Sequence, residues 1–157
     1  MNHVEMMKLA EAEAAKSVCK RAQVGAVLAH HLDGDAYVGH NQNPCGGACE
    51  GSDGKTLPEV LHAEEDVINN AYTYQGDLGG WVMYVTRQPC INCAKLIVHA
   101  GIGAVYYRDA DDKVDGIEHL LEHGVIVNSG WLKEQMRART LERIQRTWAD
   151  RWQEWRT

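Results

Sequence analysis

The chain has 157 residues, 45% of them hydrophobic and 24% charged, with a formal net charge of −6 at pH 7. That length suits one compact domain, and the acidic balance excludes the broad basic face that a nucleic-acid backbone requires. A single nucleotide stays possible, because its phosphate needs only one or two local cations. Five cysteines, an odd number, cannot all pair within the chain. With two of them in Cys90-Ile91-Asn92-Cys93, they point to a reducing compartment and to metal or redox chemistry rather than a disulfide framework.

From the N-terminus, Val4, Met7, Leu9, Ala12, Ala15 and Val18 recur at a rough helical period and predict an amphipathic helix over 4–19. The same stretch carries Glu5, Lys8, Glu11, Glu13 and Lys16, so it lacks the apolar run of a signal peptide. No 18-residue apolar stretch occurs anywhere, and the expectation is a soluble, cytoplasmic protein with no membrane partner. Residues 24–29 and 36–39 flank the turn Asp33-Gly34-Asp35 and predict a hairpin. Residues 41–58, with Pro44, Gly46, Gly47, Gly51, Gly54 and Pro58, predict a loop. A helix follows from about 58 or 61 to 72, then a strand over 81–85. Pro89 opens a helix over 90–100, which Gly101 ends. A strand over 105–107, a helix over 114–123 and a strand over 125–127 complete the alternation. A long helix is expected over 131–155. There Trp148, Trp152 and Trp155 share one stripe, for the chain's own core or for a subunit contact. Trp131 precedes the stripe, and Arg137, Arg139, Arg143, Arg146 and Arg151 read as solvated faces of that helix. The order α-β-β-α-β-α-β-α-β-α predicts a single α/β domain over 1–157 with a partly parallel sheet.

Three side chains suit zinc: His62, Cys90 and Cys93. An imidazole and two thiolates leave a fourth tetrahedral position for water, the arrangement of a catalytic rather than a structural site. Cys90 and Cys93, three apart at a helix start, face one way, and the helix N-terminus favours thiolates there. Glu64, two residues beyond His62, is a carboxylate beside the metal rather than on it, as zinc hydrolysis needs for moving protons. Alone, Cys-x-x-Cys could be a redox pair or half a structural site. Joined to His-x-Glu, with Pro89 directly before the first cysteine, it meets the zinc-deaminase signature.

At these residues the sequence resembles the cytidine deaminase superfamily and, within it, the deoxycytidylate (dCMP) deaminases, phage forms included. The likeness runs from about Cys19 to Gly124. It is carried by Val24-Gly25-Ala26-Val27, Gly39-His40-Asn41, Leu61-His62-Ala63-Glu64, Met83-Tyr84-Val85-Thr86, Pro89 to Ile97 and Ala100-Gly101-Ile102. The resemblance implies a three-layer α/β/α fold around a five-stranded mixed sheet, with zinc between two helix starts. It also implies hydrolytic replacement of the C4 amine of cytosine, dCMP giving dUMP and ammonia, with Glu64 shuttling protons. Asn41 matches a sugar contact, the Ala63 amide a contact to the pyrimidine carbonyl, and Tyr107 an aromatic at the end of the fourth strand, for which core packing is the competing role. Arg21 matches a segment near the nucleotide phosphate, with a plain surface arginine as the alternative. Lys55 is a weaker phosphate candidate.

Gln88 and Arg87 stand where apolar or aromatic residues are usual, and Glu65 and Asp66 where an apolar residue and Asn are. Gln88 joins Arg21, Asn41 and Tyr107 among the residues expected to select the substrate. The acidic loop 109–112 would repel a phosphate it faced. The resemblance further implies a homo-oligomer, often a hexamer. It also implies dCTP and dTTP effectors near Gly39-His40-Asn41-Gln42-Asn43-Pro44-x-Gly46, with Mg2+ on the effector nucleotide, and a host-cytoplasm setting for a phage protein. Competing activities are deamination of dCTP, cytidine, guanine or tRNA adenosine, and, outside catalysis, a zinc-binding scaffold. Cys19, Cys45 and Cys49 read as packed or surface thiols. A second zinc on Cys45 and Cys49 with a nearby histidine is not expected, since no four-ligand spacing is visible. His30, His31, His40, His99, His119 and His123 read as surface or hydrogen-bonded residues.

Overall fold

The computed structural model describes residues 2–129 and residue 146. The expected helix over 131–155, with Trp131, Trp148, Trp152, Trp155 and all but Arg146 of its arginines, lies outside the described residues. In chain order the elements are α1 (His3–Ala14), β1 (Gly25–Ala29), β2 (Ala36–His40), α2 (Ala63–Tyr72), β3 (Val82–Arg87), α3 (Ile91–His99), β4 (Ala104–Asp109), α4 (Asp115–Glu122) and β5 (Ile126–Asn128).

The strands form one sheet in the order β2-β1-β3-β4-β5. β1 pairs antiparallel with both β2 and β3, while β3-β4 and β4-β5 are parallel. Alternation along the strands sorts the core into two faces. Ala26, Leu28, Met83, Val85, Val105 and Tyr107 point to one side, where Val67 and Ile68 of α2, Ala94 and Ile97 of α3, and Ile117 and Leu120 of α4 cover them. Val27, Ala29 and Tyr84 point to the other, under Met7 and Ala10 of α1. The result is the expected three-layer arrangement, with, among the described residues, one helix against one face and three against the other.

Two expected boundaries move, each for a tertiary reason. α1 starts on an Asn2 cap, whose side chain accepts from the amides of Val4 and Glu5. It stops at Ala14 rather than 19, because Ser17 Oγ donates to the Asn41 carbonyl at 2.9 Å and Gln23 Nε2 donates to the Ser17 carbonyl at 2.8 Å. α2 begins at Ala63 rather than at about 58 or 61, because Leu61 and Gln42 form a β-bridge that keeps the chain extended up to the helix.

Gly25 and Gly116 permit backbone contacts that any side chain would block. A Cβ on Gly25 would run into the Ala10 carbonyl and the Ala14 amide, where α1 crosses β1. A Cβ on Gly116 would sit 2.5 Å from the Pro89 carbonyl oxygen and 2.8 Å from the Cys90 carbonyl carbon. α4 thus rests its first turn directly on the loop between β3 and α3.

Candidate active site

His62 and Cys90 occupy equivalent positions: each is the extended residue immediately before a helix, at φ −73° and ψ 158° and at φ −73° and ψ 171° respectively. Cys93 is the third residue of α3. Two helix N-termini therefore meet at the end of the sheet where β3 and the parallel β4 finish, the usual place for ligands of such sheets. His62 Nδ1 lies 3.3 Å from Cys93 Sγ and 3.7 Å from Cys90 Sγ. One ligand atom from each of the three lies within 4.8 Å of the others. Zinc with ordinary Zn–S and Zn–N bonds at tetrahedral angles needs N···S separations of about 3.5 Å. The donor set and its spacing fit that ion, through His62 Nδ1.

Hydrogen bonds couple the three groups. The Cys93 thiol and the His62 ring hydrogen-bond Cys90 and hold its thiol down to about 3, against a burial effect that acts the other way. The same bond to Cys90 raises His62 to about 9, and burial opposes it. Cys93, buried and facing the Cys90 thiolate, is pushed up. A bound metal takes the place of those protons.

Glu64 is buried in the first turn of α2, at 4% exposure. Burial raises its carboxyl to about 7, although its own backbone amide, His62 and Cys93 pull it down. Such a group is balanced between giving and taking a proton near neutrality. Glu65 and Asp66, out of pattern in the sequence, prove to be scaffolding. Glu65 reaches back to accept from the His62 amide at 3.1 Å, half of a capping box. Asp66 accepts from the His40 amide at 3.0 Å and from Gln42 Nε2 at 2.9 Å, pinning both neighbours of Asn41. Replacing Asp66 with alanine leaves both donors unmatched. The expected cost is about 2 kcal/mol of stability. It is read as a lowered Tm, with Asp66→Asn losing less because one acceptor remains.

A cavity of about 410 Å³ opens over His62, Cys90 and Glu64, with Cys93 buried behind them. Asn41, Ala63, Gln88 and Arg21 all line it, as does Asp111 of the acidic loop; Arg87, Lys113, Glu50 and Asp115, which the sequence did not single out as contacts, line it too. Asn41 spends much of its amide on the chain, with Nδ2 donating to the Ala22 carbonyl at 2.7 Å and Oδ1 accepting from the Val24 amide at 2.9 Å. It thereby fixes the segment that carries Arg21. Gln88 likewise holds the loop after β4, donating to the Lys113 carbonyl and accepting from the Asp111 amide.

Three expectations need correction. Tyr107 does not reach the cavity: it is fully buried in the core, its hydroxyl bonded to Ser129. Lys55 is exposed and lines no part of the cavity. Cys19 and Cys49 are not thiols but a disulfide bridging 30 residues, and both line the cavity. Beside this bridge, Glu50 accepts from the amides of Lys20 and Arg21 at 2.9 and 2.8 Å. Cys45 is the exposed free thiol of that loop.

The acidic loop is also less hostile to an anion than its sequence suggests. Asp111 pairs with Arg87 at 3.0 Å and is held low by it, and Asp109 pairs with Arg108 at 2.9 Å. Among the described residues, no carboxylate pairs with Arg21 or Lys113.

Comparison with known proteins agrees with this arrangement. Residues 1–109 match the family described as the cytidine and deoxycytidylate deaminase zinc-binding region. The chain is 33% identical to the deoxycytidylate deaminase of Mycobacterium phage D29 over 114 residues, covering 63% of this chain and 88% of that protein. It is 32% identical to the human deoxycytidylate deaminase over 120 residues, 68% of this chain and 66% of that one. The dCMP deaminase of cyanophage S-TIM5, solved with dCMP and dUMP, superposes with a TM-score of 0.75 at 36% identity, over 80% of this chain and 94% of that chain. The family match spans more than half of the chain and includes His62, Glu64, Cys90 and Cys93, and the chain belongs to the cytidine and deoxycytidylate deaminase family.

Proposed function

We propose that this protein removes the C4 amino group of dCMP by hydrolysis, giving dUMP and ammonia, within one domain over 1–157. The observation that carries the reading is one cavity lined by His62, Cys90 and Glu64 and also by Arg21 and Lys113, two cations that pair with no carboxylate among the described residues. A nucleobase and a phosphate find partners in the same space. His62, Cys90 and Cys93 would hold a zinc ion, which would supply a water activated at neutral pH. Glu64 takes the proton from the attacking water and delivers protons to the ring nitrogen and the departing amine. Ala63, first residue of α2, has no intrahelical acceptor for its N–H and offers it to the pyrimidine carbonyl. Asn41 keeps one N–H for the sugar, and Arg21 and Lys113 take the phosphate. Gln88 shapes the wall rather than contacting substrate. The buried Glu64 favours this reading over a zinc scaffold, which has no use for a buried carboxylate beside the metal.

The test is a panel of dCMP, dCTP, CMP, cytidine and guanine, run on the wild type and on Arg21→Ala. dCMP is expected to have the highest kcat/KM. Arg21→Ala is expected to raise KM for dCMP by about tenfold or more, the worth of one charge-assisted contact, with cytidine turnover unchanged. Better turnover of cytidine than of dCMP removes the monophosphate assignment. Regulation by dCTP and dTTP with Mg2+, a homo-oligomeric state and a host-cytoplasm setting extend the same reading. They are supported by the likeness of the 39–46 segment and by the phage relatives, and dCTP-insensitive hyperbolic rate curves would reject the regulatory part. Among the described residues, no helix is long and apolar enough to cross a membrane.

A further inference from the structure

Two histidines, one on α4 and one at its C-terminal cap, have chemistry that the catalytic cavity does not use. His119, Glu122 and His123 stand at i, i+3 and i+4, on one face of the helix and the turn that ends it. One ligand atom from each lies within 4.8 Å of the others, and the two imidazole centroids are 4.2 Å apart. Glu122 and His123 are exposed and His119 is half-buried. None of the three lines the cavity.

One hydrogen bond fixes the donor state. His123 Nδ1 sits 2.9 Å from the His119 carbonyl oxygen. A carbonyl can only accept, so Nδ1 carries the proton and the lone pair is left on Nε2. That is how ligating histidines are commonly prepared, with the second ring nitrogen donating to a backbone carbonyl. The cluster lies at the C-terminal end of α4, where the helix dipole favours a cation.

We propose that His119, Glu122 and His123 form a second metal site, for a borderline divalent ion such as zinc. Two imidazoles and a carboxylate suit that class of ion, and they differ from the thiolate-rich set at the cavity. Three ligands on one helix face leave the outer positions to water.

The full-length protein, stripped of metal and reloaded with zinc, gives the test by its metal content. Wild type is expected to hold two equivalents per chain. The double variant His119→Ala/His123→Ala is expected to hold one, with deaminase activity unchanged, and Cys90→Ala to hold the other one. A single equivalent in wild type, or two in the double variant, overturns the proposal. Cobalt supplies a reading that does not depend on how Cys90→Ala folds. The first equivalent is expected to show thiolate-to-metal absorption, and the second to bind without adding to it. A second equivalent that also brings thiolate absorption, or that persists in the double variant, overturns the assignment. Because activity is read separately, loss of the second equivalent leaves the deaminase reading intact, and absence of activity leaves the metal count interpretable.

Discussion

Replacing Glu64 with glutamine is expected to lower kcat for dCMP by about a thousandfold, the middle of the range for general acid–base groups, while zinc content stays at the wild-type value. The substitution keeps volume and hydrogen-bonding capacity but abolishes proton exchange. The magnitude follows from the position: a carboxyl at 4% exposure, raised to about 7, sits beside the ligands, while Glu65 and Asp66 of the same turn are committed to the His62 amide and to His40 and Gln42. Bulk water cannot easily take over a proton transfer in so enclosed a place. The KM for dCMP should move little, since Glu64 is asked to act on the reacting atoms rather than to hold the nucleotide. Ammonia release and metal analysis on the same preparation decide the matter. A variant with more than a tenth of wild-type turnover takes Glu64 out of the mechanism.

Cys90→Ala is expected to be comparably severe by a different route. Changes to residues that merely support a ligand cost about 10–100-fold in metal affinity, so losing one of three ligands should weaken zinc binding by more than about 100-fold. At ordinary trace zinc the cavity site then empties and dCMP turnover disappears. Adding excess zinc is expected to restore little, because the remaining pair, His62 Nδ1 and Cys93 Sγ, offers only two donors 3.3 Å apart. Wild-type zinc affinity in this variant would refute the ligand assignment.

Much of the layout was readable in the sequence because it rests on local signals. Apolar runs bounded by Gly and Pro marked β1, β3 and β4, and Pro89 and Gly101 bracketed α3 within a residue. The ligand set was readable for the same reason: His62, Glu64, Cys90 and Cys93 are each tied to a helix start. What escaped were long-range bonds. Nothing local says that α1 must end at Ala14, since the cause is Ser17 meeting Asn41, 24 residues away. The Cys19–Cys49 bridge was hidden by an odd cysteine count that argued for thiols. Glu65 offered a missed cue, a glutamate three residues after the residue preceding a helix. Asp66 offered none, because its partners lie in β2 and the loop beyond. Tyr107 shows the opposite error: period-two alternation along β4 could have placed it on the core face with Val105.

The seat that Gly116 provides for Pro89 and Cys90 carries a lesson for anyone altering the specificity of this protein. Where two backbones touch with no side chain between them, there is no rotamer to absorb an error, and a shift in α4 becomes a shift in the metal loop at full size. The adjoining 109–113 loop is held instead by side chains, Arg87 and Gln88, which can be exchanged or lengthened. Directed evolution toward other pyrimidine substrates should therefore accumulate changes in that loop and around Arg21, and recover almost none at Gly116.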